Sequence, residues 1–227
     1  MKKFCIFILA LIFLFSSFNV SARAMTEGKV INEETGIQEQ NIPDALNPIK
    51  EKERLIEYVA KNKDIVYEHN NEKLIKLSVK EPIILEFDDG SRIEYHLTIH
   101  ENPTNILNFT SKTFATTTST KTYEVTKWYY YVAGWATVTL YADCTHEGRW
   151  VIMNRVYDGF SGGFSELVSH GTAIIKEKGF NSTCAIGEGW GEIRYQITQV
   201  GQWAYQTYRL QIWVDPAGTA YLKELTP

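Results

Sequence analysis

The stretch KWYYYVAGWATVTLYADC, residues 127–144, decides the fold class that this sequence predicts. Six of its residues are aromatic, and from Ala136 to Cys144 every second residue is small or apolar. The residues between them are polar or aromatic, and this alternation is typical of a half-buried β-strand. The stretch predicts two strands joined near Gly134. The first carries rings on both faces, and the second has a small apolar core face.

The same alternation continues to the end of the chain, with no helical pattern between the segments. The predicted strands are 123–132, 135–145, 149–157, 172–178, 191–200, 203–214 and 219–225. Short strands at this spacing, separated by turns and not by helices, indicate antiparallel pairing. The sequence therefore predicts a mainly β protein built around an antiparallel β-sandwich.

A short helix and a β-hairpin precede these strands. An N-cap signal at Asn47 is followed by apolar residues at helical spacing, which predicts an amphipathic helix over Pro48–Lys61. Two strand-like runs, 83–87 and 92–100, flank a turn that contains Gly90. Glycine supplies the positive φ that a tight turn requires, so these runs predict a hairpin.

The N-terminus has the layout of a secretory signal peptide. Lys2 and Lys3 form a basic start, residues 4–15 form an apolar run, and the ARA sequence at 22–24 fits a cleavage site. The apolar run is shorter than the ~20 residues that a membrane-spanning helix needs. The sequence thus predicts a secreted chain cleaved after Ala24, with no transmembrane anchor in the mature chain.

Five segments are predicted along the chain. They are a signal peptide (1–24), a flexible leader (25–46), a helix-plus-hairpin segment (47–104), a Ser/Thr-rich linker (105–122) and a β-sandwich domain (123–227). The linker is the run NILNFTSKTFATTTSTKT, where Ser and Thr interrupt the strand pattern. All six tryptophans follow it.

Charge excludes several classes of partner. The chain carries 23 Lys plus Arg against 27 Asp plus Glu, a net charge of −4, and no dense basic cluster. Nucleic-acid binding and docking on anionic lipid both require such a cluster, so neither is expected. The sequence carries no signal for the oligomeric state.

Two cysteines, Cys144 and Cys184, remain after the predicted cleavage. In a secreted chain an even pair predicts a disulfide, and a pair of buried free thiols is the alternative. A zinc site lacks the further Cys or His ligands at suitable spacing. No phosphate-binding or dinucleotide-binding motif is present, so neither a metal nor a cofactor is expected.

Period-two alternation also selects the aromatic residues that could contact a ligand. The candidates are Trp135, Tyr141, Trp203, Tyr205 and Trp213, which share faces with Thr, Gln, Arg and Asp. If their strands are neighbours, these rings could form a platform for sugars. The alternative is structural, because aromatic residues also pair across strands or lie under the N-terminal helix and hairpin.

The sequence contains one match to a catalytic motif. The residues around Ser161 match G-x-S-x-G, in which the serine follows a strand of a parallel sheet and an acid, then a histidine, come later in the chain. Here His170 precedes Asp215, and the surrounding pattern is antiparallel, so no catalytic residue is predicted. The five histidines form no recognised metal-ligand motif either.

The organisation resembles a group of small secreted β-domain proteins of Gram-positive bacteria whose domains have no known function. The hairpin EFDDGSRIEY and the strands YYYVAGWATVTLYA and YRLQIWVDPAG carry the resemblance. The resemblance offers no catalytic residues. The predicted secretion and the outward aromatic residues favour a non-enzymatic binding protein at or outside the cell surface, with a cell-wall or surface glycan as the expected ligand. A bacteriocin-like antagonist is the second expectation, and an extracellular hydrolase the third.

Overall fold

The structure, a computed structural model, describes residues 42–69, 72–102, 118–196 and 203–224. Within them one α-helix, α1 (Pro48–Lys61), precedes twelve strands. In chain order the strands are β1 (Val66–His69), β2 (Glu72–Lys76), β3 (Ile83–Glu86), β4 (Arg92–Asn102), β5 (Thr118–Tyr131), β6 (Gly134–Glu147), β7 (Trp150–Gly163), β8 (Ser165–Lys176), β9 (Lys178–Phe180), β10 (Ala185–Gln196), β11 (Trp203–Val214) and β12 (Ala220–Glu224). The predicted signal peptide and leader residues 25–41 lie outside the described residues.

The strands form two six-stranded antiparallel sheets that enclose one main hydrophobic core. Sheet A has the order β1-β2-β12-β11-β10-β8, and sheet B has the order β3-β4-β5-β6-β7-β9. Apolar side chains from both sheets fill the space between them. The predicted antiparallel β-sandwich with a preceding helix and hairpin is confirmed.

The two strands of the aromatic stretch lie side by side in the middle of sheet B. Strands β5 and β6 pair along their whole length, with a tight turn at residues 132–133. Tyr129 and Tyr131 point into the core, whereas Trp128 and Tyr130 alternate with them on the outer face of the sheet. The prediction of a first strand with rings on both faces is therefore confirmed.

The hairpin between β3 and β4 holds the start of the folded chain. Gly90 in its turn has a φ of +79°, as predicted. Asp89 accepts hydrogen bonds from the backbone N–H of Ser91 (2.9 Å) and of Asp44 (2.8 Å). The Ser91 hydroxyl accepts from the N–H of Ala45 at 2.9 Å. The polar residues of this turn thus bind the 3₁₀ turn that precedes α1.

Helix α1 begins as its sequence predicts. The Asn47 side chain accepts hydrogen bonds from the N–H groups of Ile49 (3.0 Å) and Lys50 (3.4 Å), which have no partners within the helix. Leu55 and Val59 pack half-buried against the core. The fully buried residue of the helix is a carboxylic acid, Glu51.

Glu51 belongs to a buried charged cluster, defined as Glu51, Tyr95, Lys127 and Glu224. Lys127 points inward from β5, and only 1% of its side chain is exposed. Its Nζ lies 2.5 Å from Glu51 Oε1 and 2.6 Å from Glu224 Oε1. The Tyr95 hydroxyl lies 2.6 Å from Glu51 Oε1 and 2.5 Å from Glu224 Oε2. The buried charged cluster therefore joins α1 to both sheets.

Two carboxylates and one ammonium group leave this cluster short of positive charge. Burial and the neighbouring Glu224 carboxylate raise the pKa of Glu51 to about 7, although Lys127 lowers it. Burial acts to lower the pKa of Lys127, but Glu224 and Glu51 outweigh this effect and raise it. Lys127 is thus charged at neutral pH, while Glu51 titrates near it.

Residues before and after the predicted linker contribute to the same two sheets. Strand β4 pairs with β5 in sheet B, and β2 pairs with β12 in sheet A. Residues 118–122 of the predicted linker belong to β5, and residues 103–117 lie outside the described part of the chain. The helix, the hairpin and the C-terminal strands consequently share one sandwich.

The structure does not contain the predicted Cys144–Cys184 disulfide: both cysteines are buried free thiols. Cys144 lies in the main core between the sheets, whereas Cys184 lies in a separate hydrophobic cluster with Trp213. Burial raises the pKa of each thiol to about 12, so both are protonated and unreactive at neutral pH.

Candidate ligand-binding groove

The five predicted ligand-contacting rings are divided between two opposite surfaces. Trp135 and Tyr141 lie on β6 in sheet B, and Trp203, Tyr205 and Trp213 lie on β11 in sheet A. Because the sheets face each other across the core, their outer faces point in opposite directions. The five rings therefore cannot form one platform.

On sheet B, one face of the Tyr141 ring is covered by a neighbouring aromatic residue. Tyr141 stacks on Tyr157 of β7 with centroids 4.7 Å apart and an angle of 8° between the planes. The guanidinium carbon of Arg155 lies 4.2 Å from the centroid of Tyr157. One face of the Tyr141 ring is therefore covered by Tyr157. Tyr141 has the structural role that was the alternative to ligand binding.

The other rings of sheet B form a second stack. Trp128 and Tyr130 stack at 5.6 Å and 7°, and Arg92 lies 4.3 Å from the centroid of Tyr130. Trp135 packs at 5.6 Å against Trp128 and is 37% exposed. Of this stack only Trp135 is among the exposed large side chains of the protein.

On sheet A, Trp213 is structural. It is buried in the second hydrophobic cluster, and its indole N–H donates a hydrogen bond to Gln211 Oε1 at 3.0 Å. Its ring meets the edge of His69 at 5.8 Å. The guanidinium carbon of Arg194 lies 4.4 Å from the centroid of the Trp203 ring and covers one of its faces. Tyr205 is exposed.

Next to Tyr205, the outer face of sheet A contains a groove of about 430 Å³, named here the β10 groove. Its lining residues come from β8, β10 and β11: Ser169, Glu188, Trp190, Gly191, Glu192, Thr207, Tyr208 and Arg209. The strand register arranges the outward side chains in rows. Gly171, Trp190 and Arg209 form one row, and Ser169, Glu192 and Thr207 form the next.

Trp190 is the exposed aromatic residue of this groove, since Tyr208 is buried, and its position depends on a glycine. Gly171 lies directly opposite on β8, and a Cβ there would come within 2.7 Å of Trp190 Cζ2 and 2.8 Å of Cε2. The indole therefore lies over Gly171, in the space that a side chain would occupy. Trp190 is 40% exposed and has no ring partner in the described residues, so its other face is open.

A hydrogen-bonded carboxylate orients the polar wall of the groove. Glu188 is 3% exposed and accepts from Arg209 Nε at 2.8 Å and from Gln211 Nε2 at 2.6 Å. Gln211 in turn accepts from Trp213, so Trp213 supports the groove without lining it. The Arg209 side chain is bound to Glu188 through Nε and remains half exposed.

The row beside Trp190 carries polar groups without partners. Within the described chain, the side chains of Ser169, Glu192 and Thr207 make no hydrogen bond or ion pair. The row provides one carboxylate and two hydroxyl groups on neighbouring strands, where opposite Cβ atoms lie ~4.5–5.5 Å apart. These groups can bind a ligand without breaking internal contacts.

The structure gives the G-x-S-x-G motif no catalytic setting. Ser161 lies on β7, and its carbonyl accepts a hydrogen bond from Thr137. His170 binds Asp158 through Nδ1 at 2.9 Å, and within the described residues neither group contacts Ser161. The described residues also contain no cluster of His, Cys, Asp and Glu that could hold a metal ion.

Sequence reasoning missed Trp190 because the predicted strand started one residue later, at Gly191. The signal was available in the run EGWGEIRYQ, where Glu188, Trp190, Glu192 and Arg194 alternate with glycine and apolar residues. If the same alternation is continued from Gly191 toward the N-terminus, Trp190 falls on the outer face of the strand.

Comparison with known proteins gives no relative: no family model, no curated protein and no solved structure matches this chain. Among the described residues, no helix is both long enough and apolar enough to cross a membrane.

Proposed function

We propose that this protein is a secreted, non-enzymatic binding protein that holds a cell-wall or surface glycan in the β10 groove. The observation that carries the proposal is the indole of Trp190, which lies over Gly171 on one side and is open on the other. A flat, open aromatic face suits the apolar C–H face of a sugar ring. Its neighbours supply the polar contacts that sugar hydroxyl groups require.

The composition of the groove supports a polyhydroxylated ligand. Its volume of about 430 Å³ falls in the range of small-ligand clefts, ~300–1,000 Å³. Ser169 and Thr207 can donate and accept hydrogen bonds, Glu192 accepts, and Arg209 donates. A sugar stacked on Trp190 would thus have hydrogen-bond partners in the row of Trp190 itself and in the row beside it.

The position of the acidic residues argues for binding and against glycoside hydrolysis in this groove. Hydrolysis uses two carboxyl groups ~5–9.5 Å apart. Glu188 and Glu192 are four residues apart on one strand, which separates their Cα atoms by roughly 13 Å. Both oxygens of Glu188 are also occupied, by Arg209 and Gln211.

Replacing the indole tests the proposal. Trp190→Ala is expected to weaken glycan binding roughly tenfold or more, because the stacking surface is lost. A glycan array with the wild-type protein identifies the ligand, and titration calorimetry then compares the variants. Trp135→Ala is the matched control, since Trp135 is 37% exposed against 40% for Trp190 but lies on the opposite sheet. Equal affinity of Trp190→Ala and wild type would refute the proposal.

A second variant tests the position of the ring and leaves its chemistry unchanged. In Gly171→Ala the new Cβ would lie 2.7 Å from the indole, so the ring must shift. We expect binding to weaken several-fold and the Trp fluorescence to change, while the fold is kept because the displaced group is a side-chain end. Gly159→Ala is the control, because its Cβ would meet Tyr141 at an ordinary 3.4 Å. Undiminished binding by Gly171→Ala would contradict the stacking geometry.

A further inference from the structure

We infer that the β10 groove selects an amino sugar with a free ammonium group over neutral, N-acetylated or acidic sugars. The inference rests on the proposed function and names the chemical class of its ligand. Its basis is the one carboxylate of the groove that has no counter-charge, Glu192, together with the open ring of Trp190 beside it.

The charges of the groove do not cancel. Arg209 forms an ion pair with Glu188 at 2.8 Å, so these two charges compensate each other. In the row beyond Glu192, Arg194 forms an ion pair with Glu166 at 2.5 Å. Glu192 lies between these pairs with no ion pair of its own in the described residues. The groove therefore carries an uncompensated negative charge.

The groups around Glu192 match the donors of an ammonium ion. Such an ion has three N–H donors and no acceptor. Glu192 is flanked by Ser169 on β8 and Thr207 on β11, so the row presents a carboxylate between two hydroxyl oxygens. All three groups accept hydrogen bonds, and none is engaged elsewhere in the described chain.

Trp190 connects this row to the sugar ring. Trp190 and Glu192 lie two residues apart on the same face of β10, with Cα atoms roughly 6.6 Å apart. A sugar stacked on the indole can direct an amino substituent toward the carboxylate, and the aromatic face itself attracts a cation. An N-acetyl group would instead place a neutral amide against the charge, and a carboxylated sugar would place a second anion there.

The test compares three soluble oligosaccharides of equal length by titration calorimetry at mildly acidic pH. The probes are a glucosamine oligomer, the corresponding N-acetylglucosamine oligomer and a neutral glucose oligomer. We expect the wild-type protein to bind the glucosamine oligomer at least tenfold more tightly than the other two, with an affinity that falls as salt is added.

The variant Glu192→Gln separates charge from shape. It keeps the size and hydrogen bonding of the side chain, and we expect it to bind all three oligomers with similar affinity. Glu53→Gln, an exposed carboxylate on α1 outside the groove, should keep the preference and so controls for general acidity. A preference that survives in Glu192→Gln, or equal binding of all probes by wild type, would overturn the inference while the proposed function stands. If neither these oligomers nor any glycan on the array binds the wild-type protein, the proposed function itself fails.

Discussion

A Lys127→Met variant is expected to lose about 3–5 kcal/mol of unfolding free energy at pH 8. Methionine fills a similar volume, so the loss comes from charge and not from a cavity. The ammonium group lies 2.5 and 2.6 Å from Glu51 and Glu224, and without it these carboxylates have no counter-charge. At pH 5 the loss should be smaller, because the carboxyl groups can then take up protons.

Urea unfolding at both pH values measures this effect. Lys121→Met is the matched control, since Lys121 lies on the same strand but pairs with Glu101, whose side chain is 77% exposed. An exposed pair of this kind is worth ~0–1 kcal/mol, so the control should remain close to wild type. If Lys127→Met and Lys121→Met unfolded at the same urea concentration, the loss of the counter-charge would cost nothing and the prediction would be wrong.

Replacing Glu51, the partner of Lys127 in this ion pair, should have the opposite effect on stability at high pH. Glu51→Gln is expected to be as stable as wild type at pH 4.5 and more stable at pH 9, by at most about 3 kcal/mol. The pKa of Glu51 is about 7 in the folded protein, against 4.5 for an ordinary glutamic acid. Between pH 4.5 and pH 7, Glu51 keeps its proton in the folded state and loses it in the unfolded chain. The stability of the wild type therefore falls as the pH rises through this window. Glutamine removes this dependence.

The geometry of Tyr95 independently supports a protonated carboxyl group in the buried charged cluster. Its hydroxyl has one hydrogen, yet oxygens of both carboxylates lie within hydrogen-bond distance of it. One of the two contacts therefore needs a proton from a carboxyl group. Unfolding free energies between pH 4.5 and 9 test the prediction, with the exposed α1 residue Glu57 changed to Gln as control. A Glu51→Gln variant that is less stable than wild type at pH 9 would contradict it.

The sequence predicted the existence of the long strands, because one of their faces is consistently apolar, but it placed the start of β10 and the end of β7 six residues short. The observed β11, Trp203–Val214, coincides with its prediction at both ends, and α1 does the same. Three short strands, β1, β2 and β9, were missed, whereas β3 is equally short but was predicted because a recognisable turn follows it. Strand β8 was predicted too short because its first half, SELVSH, mixes apolar and polar residues without a clear alternation.

The site was predicted less completely, because alternation assigns a residue to a face and says nothing of which sheet that face belongs to. The outward phase of Trp135 and Trp203 was right, but their strands lie in different sheets. The same limit applies to Lys127. Its inward phase in β5 is clear, yet its partners Glu51 and Glu224 come from near the two ends of the described chain.

The pairing of β2 with β12 has a consequence for the speed of folding. Ile75 and Lys76 meet Leu222 and Tyr221, so most of the chain forms the loop that this contact closes. Such distant pairings are slow to form, because a large loss of chain entropy precedes the first stabilising contact. We therefore expect sheet A to be completed last in refolding. Until then the edges of β2 and β12 remain exposed, and the rate of this step sets how long the chain is prone to aggregate.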